Sequence, residues 1–286
     1  LTVMAPRFGR VLTAMISPFD DELALDVDGA VTLARWLQEQ GNDGLILAGT
    51  TGESPTLSRD EKLQLWEAVS AAVTIPIIAG STGSNTAADV ELTVEAERCG
   101  VAAILALCPY YSRPSQAGIA AHIGAIATAT DLPVMIYDIP VRTGRKVATD
   151  VLIDLAERHS NVVAVKDAAG NPAETSRLIA NAPNGFEVYS GDDALTLSLL
   201  AVGAVGLVGV ATHWVTPEMV ALFDAVERGD LAEAQRLHGV MLPSFDFETS
   251  DEAPNPTPAK AMMRHLQLPS GRCRPPLDAE PEWVAT

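Results

Sequence analysis

Eight short apolar runs, each followed by a longer amphipathic segment, constrain the fold of this chain more than any other feature of its sequence. The runs begin on average about 28 residues apart, which is the length of one strand, one helix and two loops. They are continuously apolar rather than alternating, as expected for parallel strands covered by other elements. The predicted strands are residues 11–17, 44–48, 75–79, 102–107, 133–137, 162–166, 186–190 and 205–210.

Eight regularly spaced strand and helix units predict a closed α/β barrel of the (β/α)8 type, a TIM barrel. We expect the barrel domain to occupy residues 1–228 and a C-terminal helical domain to occupy residues 229–286. A doubly wound open sheet is the alternative. It is disfavoured because no GxGxxG sequence follows the first strand and because eight even units close naturally.

Several residues are placed to begin or end the predicted helices. Asp26, Ser58 and Thr86 are candidate N-caps, and Glu61 lies three residues after Ser58, as in a capping box. Two glycines are placed to end helices in the left-handed conformation: Gly41 and Gly100.

The charge balance limits the partners. Nineteen Lys and Arg residues against 37 Asp and Glu give a formal net charge of −18. Nucleic acid and anionic membrane surfaces are therefore disfavoured as partners. Residues 194–215 are almost free of charge and long enough to span a bilayer, but their glycines favour two buried elements joined by a turn.

The cysteines and the first ten residues indicate where in the cell the protein is expected. Three cysteines, distant from one another, favour neither a disulfide scaffold nor a CxxC metal site. Residues 1–10 lack an apolar core of signal-peptide length, so a cytoplasmic location is expected. The five histidines show no HxH or HExxH spacing, and we expect neither a metal ion nor a cofactor.

Lys166 is the leading candidate for catalysis. Only four lysines occur, and only this one ends an apolar strand, where burial should lower the pKa of its amine. A neutral amine can attack a ketone to form a Schiff base. The alternative is a structural ion pair, for example with Asp167.

Other polar side chains lie at the same predicted edge of the barrel. Tyr137 ends the neighbouring strand and is a candidate proton shuttle, which Thr50 and Tyr111 could extend. Arg142 could bind a substrate carboxylate as a bidentate fork. The alternatives are a packed tyrosine, an interface patch at Tyr110 and Tyr111, and a surface cation.

Two loops after strands can be interpreted in more than one way. Residues 49–52, Gly-Thr-Thr-Gly, offer N–H groups and hydroxyls to a small anion, or form a tight turn that needs glycine. Asp192 and Asp193 could bind a metal ion, but a helix N-cap is the favoured interpretation.

Taken together, the chain resembles the pyruvate-dependent class I aldolase family that includes dihydrodipicolinate synthase and N-acetylneuraminate lyase. The resemblance covers nearly the whole chain. It rests on the motifs at residues 9–15, 49–54, 109–114, 137–144, 165–167, 190–193 and 255–260.

The resemblance implies a role for each candidate residue. It implies that Lys166 forms the Schiff base with pyruvate, that Tyr137 is the general acid and base, and that Thr50 and Tyr111 complete a proton relay. It implies a homotetramer of barrels, a dimer of dimers, in which Tyr111 reaches into the partner's site. The substrate-binding residues that it implies are Thr51 and the backbone at Val208 for the pyruvate carboxylate, Arg142 for the carboxylate of the aldehyde, and Gly191.

Within the family, the motifs at residues 50–54, 110–116 and 142–144 are most similar to the branch that condenses pyruvate with L-aspartate 4-semialdehyde in lysine biosynthesis. Two alternatives remain open: an aldolase for a 2-keto-3-deoxy sugar acid, and a noncatalytic barrel that binds a small carboxylate.

Three departures from the family pattern bear on regulation and on the site. Asp138 stands where many members have Asn, and Val208 where Ile is frequent. In lysine-sensitive relatives an allosteric pocket uses two histidines and a glutamate; here the matching positions are Arg59, Lys62 and Asp89, while Asn85 and Tyr110 remain. Two added cations should repel a cationic effector, so we expect weak or absent inhibition by lysine.

Overall fold

The computed structural model describes residues 5–81 and 83–285, and its strands form the predicted barrel. All pairs are parallel, and the order β1-β2-β3-β4-β5-β6-β7-β8 closes on itself through β1 and β8. This confirms the TIM barrel and excludes the open sheet. The strands are β1 (Val11–Ala14), β2 (Gly44–Leu47), β3 (Ile77–Ala79), β4 (Ala103–Leu107), β5 (Val134–Asp138), β6 (Val162–Asp167), β7 (Glu187–Ser190) and β8 (Gly206–Gly209).

The predicted strand ends were less accurate than the strands themselves. The first strand was predicted to reach Ser17, yet β1 ends at Ala14. Conversely, β5 and β6 each extend one residue further, to Asp138 and Asp167, because these two strands stay paired to that point. Apolar character alone therefore misplaced the ends, since buried loop residues after a strand are as apolar as the strand.

In the part of the chain that the structure describes, twelve α-helices surround or extend the barrel. They are α1 (Val27–Glu39), α2 (Arg59–Ala72), α3 (Thr86–Arg98), α4 (Gln116–Thr128), α5 (Pro140–Thr143), α6 (Thr149–Arg158), α7 (Pro172–Asn181), α8 (Thr196–Ala201), α9 (Thr216–Glu227), α10 (Leu231–Phe247), α11 (Thr257–His265) and α12 (Glu282–Ala285).

The helix starts follow the predicted capping in two cases of three. Asp26 accepts from Gly29 N, and Ser58 with Glu61 forms a complete capping box. The third prediction was wrong: Asn85, not Thr86, caps α3, and the Thr86 hydroxyl instead lies 2.9 Å from Nδ1 of His122. Both of the predicted helix-ending glycines, Gly41 and Gly100, have a positive φ.

Two apolar layers position the candidate site. The inner layer fills the barrel with residues such as Leu12, Met135 and Tyr189, and the outer layer packs the strands against the helices. Alternate residues of each strand face the two layers, so a polar residue at the C-terminal end of a strand opens into the barrel mouth only in the correct register.

The segment after α9 is helical, as predicted. Helix α10 packs against α9 in a third apolar cluster that includes Met219, Leu237 and Phe245. Residues 194–215 form α8, β8 and a short 3-10 turn, which confirms two buried elements joined by a turn. In residues 5–81 and 83–285, no helix has both the length and the apolar character that crossing a membrane requires. Residues 1–4, on which the expectation about the N-terminus partly rests, lie outside the described residues.

Candidate active site

Lys166 and Tyr137 lie side by side at the end of the barrel. They are paired across β5 and β6, so their side chains point to the same side of the sheet. The Lys166 Nζ atom lies 4.4 Å from the centre of the Tyr137 ring. Both side chains are nearly enclosed, with 4% and 5% exposure respectively. This is the juxtaposition that the sequence predicts.

Burial changes the chemistry of the amine. Desolvation lowers the pKa of Lys166 from its ordinary value to about 8, against the opposing fields of Asp193 and Glu248, while Arg142 adds to the lowering. At neutral pH, about a tenth of the amine is then uncharged, compared with well under one part in a thousand for an ordinary lysine. Lys166 is therefore a competent nucleophile, and no ion pair occupies it among the described residues.

The Tyr137 hydroxyl is held in its protonated form. Burial raises its pKa to about 12, opposed by Arg142 and by a hydrogen bond with the side chain of Thr50. A protonated phenol beside an amine can donate its proton to a departing oxygen and recover it from Thr50. The predicted contact between Thr50 and Tyr137 is present in the structure.

Tyr111 does not join this group within a single chain. Its side chain is 93% exposed, and its backbone has a φ of 66°, in the left-handed region. Tyr110, by contrast, lines the cavity beside Tyr137. The structure of one chain therefore leaves the predicted proton relay without its third hydroxyl.

A cavity of about 420 Å³ opens beside Tyr137. Thr50, Tyr137 and Arg142 line it, together with apolar side chains of β4. Lys166 is not part of the wall itself and lies beside Tyr137. The volume suits a small metabolite, and the exposed Arg142 provides a cation at the rim for an anionic group.

Thr51 is buried, and the side chain of Asn255 orients its hydroxyl group. The sequence did not identify Asn255 as a candidate site residue. The Asn255 side-chain amide donates to Thr51 Oγ1 at 3.0 Å. Because that oxygen already accepts a hydrogen bond, the Thr51 hydroxyl proton is free to point at an anion. Val208 lies in β8 and is completely buried in the inner layer of the barrel.

Gly191 lies against the stem of Lys166. Its N–H donates to the carbonyl of Asp167 at 2.8 Å, so only its carbonyl side is open to a ligand. A Cβ at this position would be 3.0 Å from Lys166 Cγ. Gly191 therefore provides space for the lysine, whatever contact it makes with substrate.

A buried ion pair links the Gly-Thr-Thr-Gly loop to the C-terminal segment. Lys260 Nζ lies 2.6 Å from Glu53 Oε1 with both side chains completely buried, and the amine also lies 3.9 Å from the centre of the Phe19 ring. In the sequence, Lys260 stands out only as a residue near the start of a predicted helix. Its place in the motif at residues 255–260 was the available signal, but only the tertiary structure shows that it pairs with a residue 207 positions away in sequence.

The favoured N-cap interpretation of Asp192 and Asp193 was wrong. Leu195 is the N-cap of α8; the Asp192 carboxylate accepts from Leu195 N at 3.1 Å, one residue before the helix. The Asp193 carboxylate turns inward and accepts from Val210 N at 2.8 Å. The two neighbouring carboxylates therefore bind different parts of the molecule, the start of α8 and the segment after β8.

The residues expected to affect lysine binding belong to the same cavity. Lys62, Asp89 and Tyr110 line it. Burial lowers the pKa of Lys62, with the Asp89 carboxylate opposing that change. Arg59 is turned away from this group and pairs with Glu95.

Comparisons with known proteins agree with this geometry. Residues 7–282 match the model of the dihydrodipicolinate synthetase family. The chain is 45% identical to a 4-hydroxy-tetrahydrodipicolinate synthase of Moorella thermoacetica, covering 95% of this chain and 92% of that protein. It is 47% identical to the protein of that name from Acidothermus cellulolyticus, with coverage of 97% and 90%.

Solved structures give the same result. A dihydrodipicolinate synthase of Bacillus anthracis superposes with a TM-score of 0.94 at 39% identity, covering 98% of this chain and 96% of that one. A dihydrodipicolinate synthase of Cyanidioschyzon merolae, with lysine bound, superposes with a TM-score of 0.94 at 40% identity, covering 97% and 95%.

Proposed function

The chain belongs to the dihydrodipicolinate synthetase family, and from that premise we propose that Lys166 is the residue through which it condenses pyruvate with L-aspartate 4-semialdehyde. The reaction yields 4-hydroxy-tetrahydrodipicolinate in lysine biosynthesis, and the chain is a class I lyase. The observation that carries the assignment of Lys166 is its buried amine, 4.4 Å from the centre of the Tyr137 ring.

The first step is attack by the neutral Lys166 amine on the keto carbon of pyruvate. The carbinolamine oxygen takes a proton from the Tyr137 hydroxyl and leaves as water, which forms the Schiff base. Thr50, which is hydrogen-bonded to Tyr137, relays a proton back to the phenol. Burial favours this sequence because it keeps the amine partly neutral and the phenol protonated before the reaction starts.

The second step forms the carbon–carbon bond. The relay of Tyr137 and Thr50 takes a methyl proton from the Schiff base, which gives an enamine. The enamine carbon attacks the aldehyde of the second substrate, and the aldehyde oxygen takes that proton from the relay to become the hydroxyl group of the product. The amino group of that substrate then attacks the imine carbon, closes the ring and releases Lys166. One water is lost overall, and the lysine is regenerated.

Substrate carboxylates are bound by local groups on a protein of net charge −18. We assign the pyruvate carboxylate to the Thr51 hydroxyl and the backbone at Val208, and the carboxylate of the aldehyde to Arg142, with Gly191 contributing its carbonyl side. Screening over about 8–10 Å at physiological salt lets such a local positive region persist on an acidic molecule.

We also propose that the working unit is a homotetramer, built as a dimer of dimers. The support is Tyr111, whose exposed ring and left-handed backbone project it away from its own chain. In a dimer, that hydroxyl reaches the Thr50 side of the partner's site and completes the relay. A cytoplasmic location is supported by the three cysteines, all of which are free thiols.

The test is covalent trapping. The protein is incubated with pyruvate and sodium cyanoborohydride, digested and mapped by mass spectrometry. A reduced pyruvate adduct on Lys166 is expected, lost in Lys166→Arg and retained in the matched control Lys62→Arg, which changes a lysine of the same cavity. An adduct on another lysine, or none at all, would contradict the assignment.

A further inference from the structure

Two carboxyl groups meet beneath the active site, and neither has a cationic partner in an ion pair within residues 5–81 and 83–285. Asp193 follows β7 and is 1% exposed. Glu248 directly follows α10, and its half-buried side chain reaches the same place from the C-terminal segment. The two carboxyl groups are neighbours, because they accept from the consecutive N–H groups of Val210 and Ala211.

The backbone after β8 is held by this pair. Asp193 Oδ2 accepts from Val210 N at 2.8 Å, and Glu248 Oε2 accepts from Ala211 N at 3.2 Å. Asp193 Oδ1 also lies so close to Gly209 that a Cβ there would be 2.5 Å from it. The carboxyl pair therefore fixes the backbone directly after Val208, which we place against the pyruvate carboxylate.

One atom of the pair lacks a donor. Asp193 Oδ1 is buried and has no hydrogen-bond partner among the described residues. A carboxylate oxygen only accepts, so a hydrogen bond between two carboxyl groups requires a proton on one of them. Two carboxylates in contact away from water also resist double ionisation, because their like charges repel each other.

The charged surroundings favour Glu248 as the proton carrier. The groups that act on the pair are Lys166 of β6 and Asp192 of the β7–α8 loop, and Lys166 is in turn affected by Arg142. Lys166 favours ionisation of Asp193, whereas Glu248 is affected by the negative charges of both aspartates. Burial and these charges raise the pKa of Glu248 well above its ordinary value.

We propose that Glu248 is a positioning residue that remains protonated, donates its proton to Asp193 Oδ1 and so holds the β8 end in place for pyruvate. A second consequence follows for the amine. With Glu248 neutral, the pair presents one negative charge to Lys166 instead of two, which keeps the amine easier to deprotonate. This inference rests on the proposed role of Lys166.

The first test separates a neutral Glu248 from an ionised one. Glu248→Gln keeps a donor and carries no charge. If Glu248 is protonated, the pH at which the cyanoborohydride-trapped pyruvate adduct forms at half its maximal rate stays within about 0.2 units of the unaltered protein. If Glu248 is ionised, the substitution removes a negative charge near Lys166 and lowers that midpoint by about half a unit or more. The lower midpoint would overturn the proposal.

The second test removes the donor. Glu248→Leu keeps the volume but leaves Asp193 Oδ1 without a partner, so the β8 end shifts and the KM for pyruvate rises about tenfold, with kcat changed less. Glu248→Gln is expected to restore the KM to within about twofold, because its amide donates to the same oxygen. An unchanged KM in Glu248→Leu would mean that Asp193 finds its donor elsewhere, for instance in a buried water, and the positioning role would be refuted.

A matched control keeps these outcomes apart from general effects. Asp246→Asn replaces a carboxyl group by an amide on an exposed side chain of α10 and should alter neither the pH midpoint of adduct formation nor the KM for pyruvate. Thermal unfolding of each variant separates loss of fold from loss of position, since a purely structural role would lower the midpoint of unfolding while leaving the pyruvate KM of the folded protein unchanged. Failure of the unaltered protein to form any Lys166 adduct would refute the proposed function instead.

Discussion

At the scale of single residues, burial decides what Lys166 and Tyr137 can do. The same desolvation lowers the pKa of the lysine and raises that of the tyrosine, because it disfavours the charged form of each. The two shifts bring a neutral nucleophile and a protonated acid together near neutral pH. Neither shift could be obtained from a lysine or tyrosine on the surface.

The Lys166 side chain needs the space that the absence of a side chain at Gly191 provides. In Gly191→Ala the new Cβ would lie 3.0 Å from Lys166 Cγ, 3.1 Å from its Cε and 2.9 Å from Ala168 Cβ, so the lysine stem must move. A displacement of this kind should lower kcat/KM about 100-fold. Steady-state kinetics and adduct trapping would measure the effect.

The matched control for this change is Gly239→Ala in α10, where a Cβ meets nothing within 4 Å. It should leave kcat/KM unchanged and stabilise the helix by at most about 1 kcal/mol. An active Gly191→Ala variant would show that Lys166 has another way to lie in the site.

Burial of the Asp138 carboxylate lowers the free energy of unfolding, and the contacts of this carboxylate only partly offset that effect. Burial raises its pKa from 3.8 to about 6, despite a hydrogen bond from Val147 N and Lys146 at 3.6 Å. The folded protein thus binds this proton more tightly than the unfolded chain, so the free energy of unfolding falls as pH rises from about 4 to 6 and stays lowered above that range.

Asp138→Asn does not titrate and keeps the oxygen that accepts from Val147. We expect it to be more stable than the unaltered protein by about 2 kcal/mol at pH 8, and equal to it near pH 4. Urea denaturation at both pH values measures the difference, with exposed Asp131→Asn as the control. A variant that is less stable at pH 8 would show that the Lys146 contact outweighs the burial of charge.

At the scale of elements, the C-terminal segment positions the β2 loop. Asn255 holds Thr51, Lys260 pairs with Glu53, and Arg274 donates from its backbone N to Glu53 and from its guanidinium to Glu61 at the start of α2. Three of these contacts, one to Thr51 and two to Glu53, are with the segment after β2 that carries Thr50. The barrel positions the strand ends, whereas the C-terminal segment orients the hydroxyl groups of the loop after β2.

Glu61 joins the capping box of α2 to Arg274. Hydrogen bonds with Arg274 lower the pKa of Glu61 to about 2, with further help from Ser58. The resulting stability is present above the ordinary pKa near 4.5 and is lost as pH falls from there toward 2. Because the pair is partly open to solvent, the share that depends on charge is modest.

Glu61→Gln keeps a capping side chain but loses the ion pair. It should lower the free energy of unfolding by about 1 kcal/mol at pH 7, with the difference shrinking toward pH 3. Urea titrations at several pH values measure this. Glu233→Gln, which breaks an exposed pair with Arg236, is the control and should show no measurable change. Equal effects of the two changes would remove any special role for Arg274.

At the scale of the whole molecule, barrel closure gathers side chains from distant parts of the sequence at one end. Lys166 and Tyr137 lie at the ends of β6 and β5, Thr50 lies in the loop after β2, and Arg142 lies in the short helix α5. The cavity formed there continues to Lys62 and Asp89, so the catalytic groups and a second polar region share one space.

That shared cavity bears on regulation by lysine. Lys62 faces it, and a bound lysine would bring a second ammonium close to the first. We therefore expect less than half-maximal inhibition at 1 mM lysine, measured with both substrates near their KM values. Lys62→His should increase sensitivity if the cation is the cause, and strong inhibition of the unaltered protein would contradict the expectation.

The proposed assembly can be tested through Tyr111. Sedimentation equilibrium should give four times the 30.1 kDa mass of one chain. Tyr111→Phe should lower kcat about 100-fold. Coexpression of Tyr111→Phe with Lys166→Arg should restore activity, because a hybrid dimer contains one site with both Lys166 and the partner's tyrosine. No recovery in hybrids would place Tyr111 in its own site or outside catalysis.

The pattern of apolar runs determined the barrel, because eight continuous strands with intervening helices have few ways to bury their surfaces. It also singled out Lys166 and Tyr137, since both end apolar runs and their burial follows from that position. Only the tertiary structure decided where the strands end and that the Asp193 side chain points inward. It alone also decided the contact with Glu248 and the hydrogen bond from Asn255 to Thr51. These contacts join residues far apart in sequence, and only packing determines which pairs meet.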